Sequence, residues 1–98
     1  MSFPLVYVPE SRDDIDAAYH HFERCRTGLG DRVMLSVRRC TEQIASTPEL
    51  YGVVEDDFRA APLRRFPHLV FYRLEADRVL IVAVHHGRRD GQTWLGRV

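Results

Sequence analysis

Apolar and polar positions alternate at the start of the chain. Phe3, Leu5 and Tyr7 fall on one side and Pro4, Val6 and Val8 on the other, the period of two expected of a short strand over 3–8. Pro9 should end it. Ser11, followed three positions later by Asp14, resembles a capping box with Asp in place of Glu and predicts a helix start. Ile15, Ala18, Tyr19, Phe22 and Cys25 then recur at helical spacing along one face. Gly28 and Gly30 stop this helix. A second begins near Asp31 and carries Val33, Met34, Val37, Cys40, Ile44 and Ala45 as its buried stripe. Thr47-Pro48 ends it, because the residue before proline avoids the helical region. Two helices joined by so few residues pack as an antiparallel hairpin.

Residues 48–57 read as a loop, and three extended runs follow. Residues 58–66 are interrupted by Pro62, which marks an edge or a bulge. Residues 68–75 are rich in aromatic and β-branched side chains, and 78–86 have the near-continuous apolar pattern of a buried strand. The tight connection Glu75-Ala76-Asp77-Arg78 makes these two a hairpin. A charged turn occupies 87–91, and the tail to Val98 holds the only tryptophan, Trp94. The order is βααβββ. The expected class is therefore α+β: a small antiparallel sheet packed on an N-terminal helical hairpin. Ile15, Tyr19, Phe22, Met34, Val37 and Ile44 should pack against Val70, Tyr72, Leu80 and Val82 or their neighbours.

With 98 residues the chain is one domain, 1–98. A core of that size leaves little room for an enclosed cofactor pocket, and no cofactor is expected. The longest apolar run, 79–84, is far short of the ~20 residues of a membrane span. Met1-Ser2-Phe3-Pro4 lacks a positively charged leader region, so a cytoplasmic location with no membrane partner is expected.

The net charge is zero, but it is unevenly placed. Residues 1–58 hold six arginines against eleven acids, and residues 59–98 hold eight arginines against three. The basic half suggests a face for an acidic partner or a nucleic acid. Cys25 and Cys40 lack metal-site spacing and both lie on apolar stripes, so two buried free thiols are expected. The five histidines form no i, i+4 pair on a helix, and no metal site is expected.

His85 or His86 would suit proton transfer, and Arg64, Arg65, Arg88 and Arg89 would hold phosphate. Together they would make a minimal metal-free ribonuclease. The competing view is that His85 packs on the helices while the arginines are solvated. His85 and His86 follow a buried strand, so one ring should point inward and the other outward. Trp94 is either an exposed interface anchor or a cap folded back on the sheet.

Three stretches carry a resemblance to a known family. They are Arg64-Arg65-Phe66-Pro67-His68 running on to Tyr72 and Arg73, then Asp77-Arg78 through Val84-His85-His86-Gly87-Arg88-Arg89-Asp90, and finally Trp94 with Arg97. This pattern resembles the C-terminal half of ParE/RelE-superfamily toxins of type II toxin–antitoxin modules, also called plasmid stabilisation proteins. The resemblance implies a toxin held inactive by a cognate antitoxin, within a hetero-oligomer of the two. It implies one of two targets: DNA gyrase for the ParE branch, or mRNA in the ribosome for the endoribonuclease RelE branch. The nuclease branch typically places an arginine where this chain has Leu69, uses Lys or Glu on the preceding strand, and often ends its set with a late Tyr or His. The chain has no lysine and no tyrosine after Tyr72. The resemblance therefore favours ParE and a non-enzymatic gyrase inhibitor. On that reading Arg88, Arg89, Trp94 and Arg97 contact the target, and Arg64, Arg65 and Arg73 contact the antitoxin. The alternatives are a nuclease using His85 or His86 with Arg64, Arg65 and Arg88, and a non-toxic relic that only binds antitoxin.

Overall fold

The chain leaves its first strand, β1 (Leu5–Tyr7), and enters helix α1 (Pro9–Cys25) directly through a proline. A proline in the first turn has no N–H to satisfy and its φ is preset for the helix, so α1 begins two residues ahead of the expected capping box. That box is not formed. Val8 is the N-cap without a side-chain bond, the Ser11 hydroxyl donates to the Val8 carbonyl at 2.7 Å, and the Asp14 carboxylate is spent elsewhere. A computed structural model describes residues 2–86 and 93–98.

Helix α2 runs Leu29–Ser46. The α1–α2 turn is closed by one carboxylate: Glu23 accepts the backbone N–H of Gly28 at 3.1 Å and of Gly30 at 3.0 Å. Gly28 has φ 91°, a left-handed conformation that side chains avoid. Gly30 lies against Tyr19, and a Cβ there would sit 2.8 Å from the ring. Gly30 is thus a close-approach residue inside α2, which starts before the expected Asp31.

Four further strands follow: β2 (Val53–Glu55), β3 (Phe58–Pro62), β4 (His68–Glu75) and β5 (Arg78–His86). The sheet order is β1-β5-β4-β3-β2. All neighbours are antiparallel except β1, which pairs in parallel with β5 through Leu5↔Val79 and Tyr7↔Ile81. The bounds of β4 and β5 agree with expectation. The segment 48–57, expected to be a loop, contains the edge strand β2. The first of the three extended runs stops at Pro62 instead of 66.

A bulge sets which residues face the helices. Phe71 pairs with Ala83 but Tyr72 pairs with Ile81, so Val82 is an extra residue in β5. Val79, Ile81, Val84, Val70 and Tyr72 pack with Ile15, Val33, Val37 and Ile44 of the helices. Leu80 and Val82 turn to the opposite face, and their neighbours Val79 and Ile81 take the places expected of them. On that second face a short 3-10 helix, Thr93–Arg97, folds back over the sheet. Trp94 is fully buried there, stacked on Phe71 at 4.6 Å and edge-on to Phe58 at 5.0 Å. The fold therefore has two cores, one on each face of a single sheet. Two stripe assignments need correction: Cys25 is exposed, and Met34 is on the rim at 38% exposure. Among the described residues no helix is long and apolar enough to cross a membrane.

Candidate functional site

A groove of about 650 Å³ runs between α2 and the loop joining β3 to β4. Its floor is Cys40, Pro62, Tyr51 and Phe66, and its rim is Arg32, Arg39, Arg64 and Arg65; no carboxylate lines it among the described residues. The loop is fixed against the helix by the Ser36 hydroxyl, which donates to the Arg64 carbonyl at 3.0 Å. Arg65 sits at φ 70°, a left-handed conformation that costs a non-glycine residue ~1–2 kcal/mol. Burial pushes the Cys40 thiol up to about 11, so the floor carries no thiolate at neutral pH. An apolar trough with four guanidinium groups around it suits an acidic amphipathic segment.

The expected antitoxin contacts Arg64 and Arg65 both lie on this rim. Arg73 does not. It points to the other sheet face, over the Phe58 ring at 5.1 Å, and is paired with Glu75. Hydrogen bonds from Arg73 and Arg78 hold the Glu75 carboxyl below its usual range. Arg32 and Arg39 belong to the groove and were not singled out from the sequence. They are seven residues apart on α2, with Leu35 and Ser36 between them on the same face, a spacing equally typical of a solvated helix surface.

The second cluster centres on Asp14. Among the described residues no strand pairs with the edge of β5 beyond Tyr7, and there the Asp14 carboxylate accepts the Val84 N–H at 3.0 Å. Arg97 clamps the same carboxylate with two bonds, at 2.6 and 3.2 Å, and donates also to the Val82 carbonyl at 3.1 Å. The hydrogen bonds to Asp14 raise the Arg97 pKa above its ordinary value. His85 joins them: its Nε2 lies 3.3 Å from Arg97 and 3.3 Å from Asp14. In the tautomer with its hydrogen on Nδ1 that nitrogen accepts from Arg97, and in the tautomer with its hydrogen on Nε2 it donates to Asp14.

His86 faces the helices, its ring 5.6 Å from that of His68, which in turn meets Phe22. The two histidines do fall on opposite faces. Neither stands clear of the protein: the His85 side chain is 13% exposed, and His86 is half-buried. Neither lines the arginine groove. Trp94, expected among the target contacts, is turned into the second core, and Arg97 is turned into the Asp14 clasp. Arg88 and Arg89 lie outside the described residues. Among the described residues no group of three or more potential metal ligands is found.

The family model described as "ParE toxin of type II toxin-antitoxin system, parDE" matches residues 5–91. The chain belongs to the ParE toxin family. A solved chain titled "Chromosomal ParDE TA system from P. aeruginosa" has a similar fold, at a TM-score of 0.66. The two are 16% identical over 87% of this chain and 96% of that one. No curated protein matches the sequence. The helical hairpin on a small sheet, with Arg64–Tyr72 leading into its central strand, is thus the ParE/RelE arrangement. The chain is the toxin component of such a module, and its class of partner is a cognate antitoxin.

Proposed function

We propose that the chain is a gyrase-directed toxin that acts by binding, with no proton transfer. The observation that carries this reading is the Asp14–Arg97–His85 cluster. A ribonuclease of this size would need an imidazole within hydrogen-bond reach of a scissile phosphate, backed by cations. Here His85 is engaged by a carboxylate and a guanidinium that hold the C-terminal segment to α1. The phosphate-binding arginines nearest in character, Arg64 and Arg65, line a groove that contains neither His85 nor His86. Leu69 at the position where the nuclease branch carries arginine supports the same reading.

The groove between α2 and the β3–β4 loop is the seat of the antitoxin. Its arginines meet acidic side chains of a segment that orders on binding, and its floor takes the apolar ones. The left-handed Arg65 supports this assignment, because a loop that keeps a costly conformation at a charged rim is holding a guanidinium in place. Contact with gyrase falls to Arg88 and Arg89. The buried Trp94 and clasped Arg97 anchor the 3-10 helix that follows them in the sequence.

The reading is tested by growth inhibition in cells expressing variants whose folding is checked by melting. His85→Gln and His86→Gln should leave inhibition largely intact, whereas replacing Arg88 and Arg89 together by Ala should abolish it and spare antitoxin binding. A well-folded histidine variant without toxicity, losing the ~100- to 10,000-fold expected for a missing acid–base group, would favour the ribonuclease.

A further inference from the structure

The edge strand β2 is bare. Val53 and Val54 are 52% and 46% exposed, Leu50 before them is 63% exposed, and among the described residues no strand pairs with the outer side of β2. Sheet edges in soluble proteins are normally blunted by lysine, proline or charges along the strand. Here only Glu55, at one end, is charged. The edge is nevertheless held in place. The Tyr72 hydroxyl donates to the Pro48 carbonyl at 2.6 Å, and Arg59 donates to the Tyr51 carbonyl at 2.7 Å. An ordered, apolar, unpaired edge is a template for another strand.

Charge is uneven along this edge, with groove arginines and Glu49 near one end and acids alone at the other. Tyr51, just before β2, borders the groove ringed by Arg39 and Arg64. Past Val54 the chain turns through Glu55, Asp56 and Asp57, all exposed. At a rise of ~3.3 Å per residue the two ends are ~13 Å apart. A two-fold axis through the middle of β2 would superpose the acidic end of one copy on the arginine end of another. It would also place Val53 and Val54 against their counterparts.

We infer that two copies of the chain associate by antiparallel pairing of their β2 edges, the acidic β2–β3 turn of each lying at the Arg39–Arg64 rim of the other. The contact is isologous and closes at two copies. The ladder is short, so the interface belongs to the small, transient class below about 1,200 Å² and forms at high local concentration. It shares the arginine rim with the proposed antitoxin seat but adds an element, the acidic turn, that the antitoxin does not need. Antitoxin binding and self-association would therefore compete.

The test is sedimentation velocity of the full chain up to hundreds of micromolar, at low and high salt, with paired charge reversals. Wild type should shift from monomer to dimer with concentration, and less so in high salt, where screening shortens to ~3 Å at 1 M. Glu55→Arg with Asp57→Arg should weaken the dimer at least tenfold, and so should Arg39→Glu with Arg64→Glu. A one-to-one mixture of these two variants should restore it, because both contacts are then complementary again. Val54→Lys should leave a monomer with an unchanged melting temperature. A wild type that stays monomeric throughout, a mixture that fails to recover, or growth into open-ended oligomers would overturn the inference. The antitoxin reading is scored separately: the acidic-turn variant should keep full antitoxin affinity. If the groove variant also keeps full antitoxin affinity while its dimer is lost, the antitoxin seat is wrong and the dimer stands.

Discussion

Removing the Asp14 carboxylate should unfasten the C-terminal segment. In Asp14→Ala, Arg97 loses both of its bonds to the carboxylate and the Val84 N–H loses its acceptor. Breaking a buried ion pair by deleting one partner costs ~3–5 kcal/mol. Here the side chains are 14% and 20% exposed, and Arg97 keeps the Val82 carbonyl, so solvent recovers part of that cost. A loss of ~2–3 kcal/mol is expected, which in a domain of this size lowers the melting temperature by ~10–20 °C. Arg97→Met should cost less, because Asp14 keeps Val84. The two changes together should fall short of additivity by ~1–2 kcal/mol, the coupling of residues in direct contact. Urea unfolding followed by circular dichroism reads all three, with an unchanged m-value showing that the transition is still two-state. A melting temperature for Asp14→Ala within ~3 °C of wild type, or full additivity in the cycle, would refute the clasp.

Four further outcomes are expected. Trp94→Ala should cost ~3–5 kcal/mol, since it empties the second core, and Trp94 fluorescence in wild type should be that of a buried indole until the chain unfolds. One thiol, Cys25, should react with a disulfide reagent in the native protein, and Cys40 only on unfolding; two equally fast thiols would contradict the buried groove floor. Stability should fall in alkali. Folding raises Cys40 to about 11 and Tyr72 to about 12, above unfolded values of ~8.5 and ~10, so the unfolded chain releases protons first. Stability from these groups is complete below pH ~8.5 and is lost as pH rises through 11 and 12, and Cys40→Ala should flatten the first part of that fall. Reversing Arg39 and Arg64 should slow antitoxin association and weaken its salt dependence, whereas Arg73→Glu, remote from the groove and already paired with Glu75, should do neither.

The parts of the fold that were readable in advance are those with strong periodicity. The two helices and the β4–β5 hairpin announce themselves through apolar spacing, and the hairpin's bounds coincide with the observed ones. β2 did not, because Val53-Val54-Glu55 is short and wholly exposed, so nothing alternates. β1 was visible, but its parallel pairing with β5 depends on the whole α1–α2 crossover. The capping-box expectation failed because Asp14 has a long-range use, with Val84 and Arg97, that no local spacing records. Half of the groove rim was legible: Arg64 and Arg65 sit in a stretch dense with signals, while Arg32 and Arg39 look like any solvated helix face until the β3–β4 loop is laid beside them. Trp94 illustrates the converse. A lone tryptophan in a charged tail reads equally well as an anchor for a partner or for its own sheet, and only the aromatic pair Phe58 and Phe71 on the second face decides between them.

The most direct test of the proposed activity is plasmid supercoiling by purified gyrase with the full chain added, set beside translation of a defined transcript with the same chain. A gyrase-directed toxin should block supercoiling or leave cleaved plasmid, with the His85→Gln protein equally potent and the transcript intact. Unaffected gyrase together with cut transcripts, abolished by His85→Gln or His86→Gln, would contradict the account and assign the chain to the ribonuclease branch.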